Sequence, residues 1–166
     1  MIRESATNTP EVTISKSIRV TGTGSIVANI LRLEGSVRIL EQYAVITAVT
    51  TLTNATGVYA TLWDGTNSED LTLDGAVLSG APVDTMFLKD KVATQQYSVN
   101  VADQCRVNEV TDTKKAGKAF TITQKHDTDT FIRLHLTSTD NPVDFTVFVT
   151  FKYEPIMYNG STLYFL

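Results

Sequence analysis

Two histidines and one cysteine are the side chains of this sequence best suited to acid–base, nucleophilic or zinc chemistry. His126 has Asp127 and Asp129 close by in KHDTDT, which are residue types of a Ser-His-Asp arrangement. No Gly-x-Ser-x-Gly motif supplies a nucleophile, and neighbouring residues on a turn do not by themselves place a base against one. His135 alternates with polar residues, as a surface residue of a strand does. Cys105 has no partner for a disulfide, and a small buried side chain is its expected role.

Two histidines cannot form a three-histidine zinc site, and they do not have His-x-x-x-His spacing. We therefore predict that the protein is not an enzyme and carries no cofactor. A hydrolase that uses His126 stays open as a third hypothesis.

Acidic and amide side chains crowd one connection of the chain, which contains Asp64, Asn67, Glu69, Asp70 and Asp74. Calcium takes such oxygen ligands from loops, but the spacing does not match an EF-hand loop. Asp and Asn are also common in turns because they tolerate turn geometry. No metal site is predicted, and the question of calcium in the 64–74 loop stays open.

Trp63 and Tyr59 lie on one face of a predicted strand with Thr61 between them. Exposed aromatic rings are the platforms that a sugar-binding groove needs, although core packing is the commoner fate of such a pair. Trp63, Asp64 and Asn67 therefore form the candidate recognition loop.

The elements that must position these residues are strands. The odd positions from Val143 to Tyr153 are all apolar and alternate with mostly polar residues, a period of two that only Phe148 interrupts. The segment before it alternates in the same way, and Asn141-Pro142 lies where a reversal is expected. The sequence thus predicts a hairpin from Asp129 to Glu154.

Similar patterns predict most of the other strands. Val12–Val20 has one apolar face interrupted by Lys16, which an edge strand tolerates because an inward lysine discourages stray pairing. We expect turns at TGTGS (21–25) and at 54–57. Strands are expected at 26–33, at 37–53 with a bulge near Glu41-Gln42, and at 58–63. Further strands are expected in QYSVNVA, CRVNEV and AFTITQK. Turn signals about every ten residues and no convincing helix predict an all-β fold, a single antiparallel β-sandwich of jelly-roll type.

Composition restricts the partners. The chain has 166 residues, of which 42% are hydrophobic and 19% charged, enough for one folded domain. A net charge of −4 gives no reason to expect nucleic acid. No apolar run is long enough to span a membrane, and the first residues lack the apolar region of a secretory signal.

The two ends differ from the middle. Residues 1–11 are polar and predict a flexible arm, 12–154 form the sandwich domain, and 155–166 are an apolar tail with a hairpin signal at Asn159-Gly160. Such a tail needs a surface to bury against, either its own sandwich or a neighbouring subunit. The predicted assembly residues are Ile156, Met157, Tyr158, Leu163, Tyr164, Phe165 and Leu166.

Several strings together carry a family resemblance: WDGT at 63–66, LSGAPV at 78–83, FLKDKVAT at 87–94 and DTFIRLHLTSTDNPVDFTVFVTFKYEP at 129–155. They resemble small β-sandwich accessory proteins of tailed-bacteriophage virions, such as head-decoration, head-fibre and tail-associated subunits. The resemblance implies a structural protein of the virion, made in the host bacterial cytoplasm. It also implies a homo-oligomer, with a trimer favoured, that contacts other virion proteins such as the major capsid protein. A receptor- or carbohydrate-binding module on a phage fibre is the alternative function.

Overall fold

The computed structural model describes residues 10–72, 77–89, 98–100, 120–124, 128–156 and 160–166, none of which is helical. All the strands formed by these residues belong to one sheet, and every ladder between them is antiparallel. The predicted all-β antiparallel class is therefore confirmed. The strands are β1 (Val12–Glu34), β2 (Ser36–Thr51), β3 (Ala55–Trp63), β4 (Ser68–Asp70), β5 (Met86–Lys89), β6 (Ser98–Asn100), β7 (Phe120–Thr123), β8 (Thr130–Pro155) and β9 (Thr162–Phe165).

The 26-residue strand β8 is the centre of the sheet. β1 pairs with one side of it along almost its whole length, from Leu33 opposite Thr130 to Val12 opposite Tyr153. On the other side β3 pairs with the first half of β8 and β2 pairs with the second half. The remaining strands extend this frame: β4 beside β3, β5 and β7 beside β2, β6 beside β5, and β9 beside the end of β1.

The predicted hairpin at 129–154 is wrong, because its two arms are consecutive halves of β8 and do not pair with each other. Ser138 lies opposite Gly24 and Val143 lies opposite Gly22, so the four residues 139–142 face the single residue Thr23. This wide bulge reverses which positions face inward: even positions up to Ser138 are buried, and odd positions from Val143 onward. Asn141-Pro142 therefore marks a bulge where the sequence pattern indicated a turn.

The expected turn at TGTGS is wrong for the same reason, since β1 continues through residues 21–25. The glycines allow β1 to bend opposite the bulge of β8. Gly24 has a φ of 77°, a conformation that glycine adopts without a steric penalty. A Cβ atom on Gly22 would lie 3.1 Å from a side-chain carbon of Ile26, so the two halves of β1 approach each other here.

The sheet folds over at this bend and encloses one core. A single cluster of buried side chains includes residues from both halves of β8, such as Leu134 and Phe145, together with residues of β1, β2, β3 and β9. Two layers of one continuous sheet thus provide the facing surfaces of the predicted sandwich.

Most of the other described strands agree with their sequence patterns. β2 lies in the predicted segment, with its first bulge between Ile39 and Glu41, next to the expected position. β3 begins at Ala55, within the expected turn at 54–57, three residues earlier than predicted. Asn54, with a φ of 57°, lies in the turn between them. β6 and β7 lie in predicted strand regions, whereas β5 lies where no strand was predicted. CRVNEV, Cys105, His126 and Asp74 lie outside the described residues.

Candidate assembly edge and recognition loop

The described part of the C-terminal tail is a strand of its own sheet. β9 pairs with β1 from Leu163 opposite Leu33 to Phe165 opposite Leu31. Leu163 is only 2% exposed and belongs to the core, and Phe165 packs against that core. This part of the predicted assembly segment therefore contributes to the subunit's own fold.

Three polar contacts fix the tail. The Tyr164 hydroxyl donates a 2.7 Å hydrogen bond to the Glu34 carboxylate, and the Arg32 guanidinium lies 5.7 Å from the centre of the Tyr164 ring. The hydrogen bond to Glu34, followed by burial, raises the pKa of Tyr164. At the end of the chain, the Lys16 ammonium donates a hydrogen bond to the backbone carbonyl of Leu166.

The predicted assembly residues thus divide into two groups. Leu163, Tyr164 and Phe165 contact their own subunit, whereas Ile156 is 49% exposed and Leu166 is 51% exposed. Met157 and Tyr158 lie outside the described residues. An assembly role for Ile156 and Leu166 stays a prediction.

β1 leaves one long edge of the sheet unpaired by any residue that the structure describes. β8 occupies one side of β1, and on the other side β9 pairs only with 31–34 and Leu166 donates a hydrogen bond to the Ile30 carbonyl. The free edge therefore runs from Val12 to Asn29, and its first part, Val12–Gly22, is regular and free of register shifts. We call this segment, Val12–Gly22, the assembly edge.

The two faces of the assembly edge differ in polarity. Val12, Ile14 and Ile18 point inward, are half-buried and pack against the core. The outward row consists of Thr13, Ser15, Ser17, Arg19 and Thr21, all exposed. An apolar row that reaches the sheet margin is covered only on one side, and a further strand would bury it more fully.

Few features protect the assembly edge from pairing. Proteins discourage edge pairing with prolines, bulges and charges, but this segment contains no proline and no bulge. Its inward charge is Lys16, whose ammonium is held by the Leu166 carbonyl. Its outward charge is Arg19, which makes two hydrogen bonds of 2.9 and 2.8 Å to Asp144, and these hydrogen bonds lower the pKa of the Asp144 carboxyl.

The predicted recognition loop follows β3 and is closed by its own hydrogen bonds. One Asp64 oxygen accepts hydrogen bonds from the backbone N–H groups of Thr66 and Asn67, at 2.9 and 2.7 Å, and the other accepts one from the Asn67 side chain. This is the local pattern by which Asp fixes a turn. Asp64 and Asn67 are therefore in contact, and their spacing is set by the loop itself.

A cleft of about 220 Å³ lies beside this loop. Six of its seven lining residues have polar side chains. One of them is already engaged: the Gln124 side chain accepts a hydrogen bond from the Gly35 N–H and donates one to the Thr128 carbonyl. The lining residues are Leu62, Asp64, Asn67, Glu69, Thr123, Gln124 and Thr130.

Trp63 does not line this cleft, and one of its ring faces is occupied. The Arg133 guanidinium carbon lies 3.1 Å from the centre of a Trp63 ring, and Phe131 stacks beside Trp63 at a centroid distance of 6.1 Å. Arg133 also donates a 2.8 Å hydrogen bond to Asn29. Partial burial lowers the pKa of Arg133.

His135 continues the same row of side chains on the outer face of β3 and β8. Its ring stacks on Tyr59 at a centroid distance of 4.5 Å, and its Nε2 is 2.9 Å from the Thr61 hydroxyl. These residues are cross-strand neighbours: Tyr59 pairs with His135, Thr61 with Arg133 and Trp63 with Phe131. Sequence alternation placed each of them on a face, but the pairing of β3 with β8 was not predictable from either strand alone.

A small cavity lies between the two layers of the sheet. It measures about 20 Å³ and is lined by Ile30, Gln42, Tyr43, Ala44, Ile132, Leu134, Val149 and Phe151. Gln42 is 3% exposed, and neither its amide oxygen nor its amide nitrogen has a hydrogen-bond partner among the residues that the structure describes. A buried amide without partners is costly, so this position lowers the stability of the fold.

Among the described residues no three His, Cys, Asp or Glu side chains are grouped to hold a metal ion. The question of calcium therefore remains for a loop of which Asp74 lies outside the described part. In the same described part, no helix is long and apolar enough to cross a membrane.

Comparisons with known proteins identify no family for this chain. No family model and no curated protein matches the chain. A solved structure of infectious bursal disease virus, Gx strain, is similar with a TM-score of 0.34 and 11% sequence identity, over 93% of this chain and 38% of that chain. A likeness of this size defines neither a family nor a function.

Proposed function

We propose that the chain is a structural subunit of a virion, which acts through contacts between subunits and not through catalysis. The observation that carries the proposal is the assembly edge: a regular strand margin, unpaired by any described residue, beside a half-buried apolar row. Extended segments add to such edges because main-chain hydrogen bonds supply affinity and the alternate side chains supply specificity. Both homo-oligomers and complexes with other virion proteins would form through this edge.

The finer assignment, to a tailed bacteriophage, rests on the sequence resemblance at 63–66, 78–83, 87–94 and 129–155. An all-β antiparallel subunit fits a capsid-decoration, head-fibre or tail-associated role equally well. The major capsid protein is the expected partner for the first of these, and the host bacterial cytoplasm is the expected place of synthesis.

Self-assembly is tested by the solution mass of the full-length chain, measured by light scattering over a wide range of protein concentrations. A closed oligomer at micromolar concentration supports the proposal. A monomer at every concentration contradicts self-assembly by this chain.

The virion role needs a separate test. Mass spectrometry of purified phage particles from a lysate that encodes this sequence should find its peptides in fixed ratio to the capsid protein. Recovery of the chain only from the soluble fraction of that lysate would exclude the virion role.

The polar cleft favours a second candidate, a carbohydrate- or receptor-binding module. Its wall carries Glu69 and Asn67, groups that hydrogen-bond to sugar hydroxyls. The test is binding of the full-length chain to immobilised glycans, compared with a Glu69→Ala variant and with a Ser68→Ala control, whose side chain is absent from the cleft wall. Binding that Glu69→Ala removes and Ser68→Ala preserves supports recognition through this cleft, and lack of binding by all three chains excludes it for the glycans tested.

A further inference from the structure

We propose that the assembly edge pairs with the same edge of a second copy, antiparallel, about a two-fold axis at Ser17. The inference rests on the proposed assembly role and names the partner at that site. It predicts one continuous sheet across two subunits.

The argument begins with the length and symmetry of the segment. Val12–Gly22 has 11 residues in unbroken register with β8, and Ser17 is its middle residue. An antiparallel pair of identical strands has a two-fold axis, so a contact centred on Ser17 uses every residue of the segment in both copies. Any other centre leaves part of each edge unpaired.

This register also pairs inward-facing residues with inward-facing residues of the second copy, and outward-facing residues with outward-facing ones. Residues directly opposite each other have numbers that sum to the same even value, and therefore lie on the same face of the pleat. Ile14 would lie opposite Val20 of the second copy, and Val12 opposite Gly22 of the second copy. The half-buried apolar row of each copy would continue into the other and exclude water from it.

Charge supports a second copy as the occupant. In this register Lys16 would lie opposite Ile18 of the second copy and Arg19 opposite Ser15, so no like charges are directly opposed. Arg19 is held by Asp144 and Lys16 by Leu166 within the subunit. A register centred on Lys16 or on Arg19 would place two cations directly opposite each other. Of the two positions between them, Ser17 is the one whose register uses the whole of Val12–Gly22.

Disulfide trapping tests the register in the full-length chain. Cys105→Ser provides a background without native thiol, and Ser17→Cys is added to it. Directly opposite Cβ atoms lie about 5 Å apart, close to the geometry that a disulfide requires. Mild oxidation should convert most of the Ser17→Cys protein to a covalent dimer.

Thr13→Cys is the matched control, because Thr13 is on the same exposed face of the same strand. In the proposed dimer two Thr13 positions are eight residues apart along the pair, about 26 Å, so this variant alone should not cross-link. Mixed with Thr21→Cys, which lies opposite it, it should form the mixed dimer. Equal cross-linking of Thr13→Cys and Ser17→Cys alone would overturn the proposal.

A charge variant provides a second readout. Ser17→Lys places two ammonium groups opposite each other on the axis, and should raise the dimer dissociation constant about fivefold or more. Thr53→Lys, at another exposed position, should leave it unchanged. Circular dichroism of both variants checks that they fold.

The outcomes separate this inference from the function on which it rests. An even-numbered oligomer that cross-links through Ser17→Cys supports both. A trimer without that cross-link keeps the assembly role and overturns the two-fold contact. A monomer that never cross-links overturns both.

Discussion

Gly35 packs directly against Ser161: a Cβ atom on Gly35 would lie 3.1 Å from the Cα atom of Ser161 and closer still to its hydroxyl oxygen. That hydroxyl accepts a hydrogen bond from the backbone N–H of Ser36, at 3.1 Å. The short connection between β1 and β2 thus holds the start of the C-terminal strand.

Gly35→Ala should therefore destabilise the fold by about 2–4 kcal/mol, because the added methyl group displaces Ser161 and the φ of 69° strains alanine. Urea unfolding of both proteins measures the change. Gly24→Ala is the control: its φ is also positive, but nothing lies within 4 Å of the added atom, so only backbone strain, about 1 kcal/mol, is expected. Equal losses at the two glycines would mean that the contact with Ser161 contributes nothing.

Leu163→Ala should destabilise the isolated subunit by about 2–5 kcal/mol, because it leaves a cavity in the core. Leu166→Ala, at a half-exposed position of the same tail, should change stability by less than about 0.5 kcal/mol. Denaturant unfolding at low protein concentration separates this effect from oligomer dissociation. If Leu163→Ala changed only the oligomeric state, the tail would be an assembly element after all.

The folded protein should lose stability at alkaline pH because of Tyr164. Its hydrogen bond to Glu34 raises the pKa of the hydroxyl in the folded state above its value of about 10 in the unfolded chain. A raised pKa means that the stabilisation is fully present below the unfolded pKa and is lost as the pH rises through the folded pKa.

The measurement is the ultraviolet titration of tyrosinate in the native protein and in Tyr164→Phe. The difference between the two curves should show one hydroxyl that ionises above the usual range. Tyr164→Phe should also lose less stability than the native protein between neutral pH and this alkaline range. A difference curve at or below the usual tyrosine pKa would contradict the hydrogen bond.

Gln42→Met should stabilise the protein by about 1–2 kcal/mol, because methionine has a similar volume and removes two buried polar atoms that lack partners. Gln124→Met is the matched control and should destabilise, since both amide groups of Gln124 are hydrogen-bonded. Thermal or urea unfolding measures both. A destabilised Gln42→Met would indicate that a water molecule, for which about 15 Å³ suffices, satisfies the amide in this cavity.

The sequence predicted the strands well and their pairing poorly. The frequent β-branched residues at 26–33 and 37–53 indicated strands, and the structure has strand in both segments, ending at Thr51 in the second. The bulge at 139–142 looked like a turn because proline and asparagine suit both, and alternation alone does not tell a strand that bends from a strand that ends.

In the candidate site too, local features could be predicted from the sequence and long-range contacts could not. Lys16 in an apolar row indicated an edge strand, and β1 is an edge among the described residues. That its ammonium meets the Leu166 carbonyl, 150 residues away in the chain, has no local signal. The contact between Asp64 and Asn67, by contrast, is local to one turn.

The pairing of β1 with β8 has a consequence for how the chain folds. Val12 pairs with Tyr153, 141 positions away in sequence (153 − 12), and even the nearest pair of this ladder, Leu33 and Thr130, is 97 positions apart (130 − 33). Contacts of such high sequence separation slow folding, since the entropy of closing a long loop is lost before any pairing is gained. During translation β1 cannot pair with β8 until most of the chain has been synthesised. A newly made chain therefore passes through a period in which this strand is open on both margins and vulnerable to aggregation.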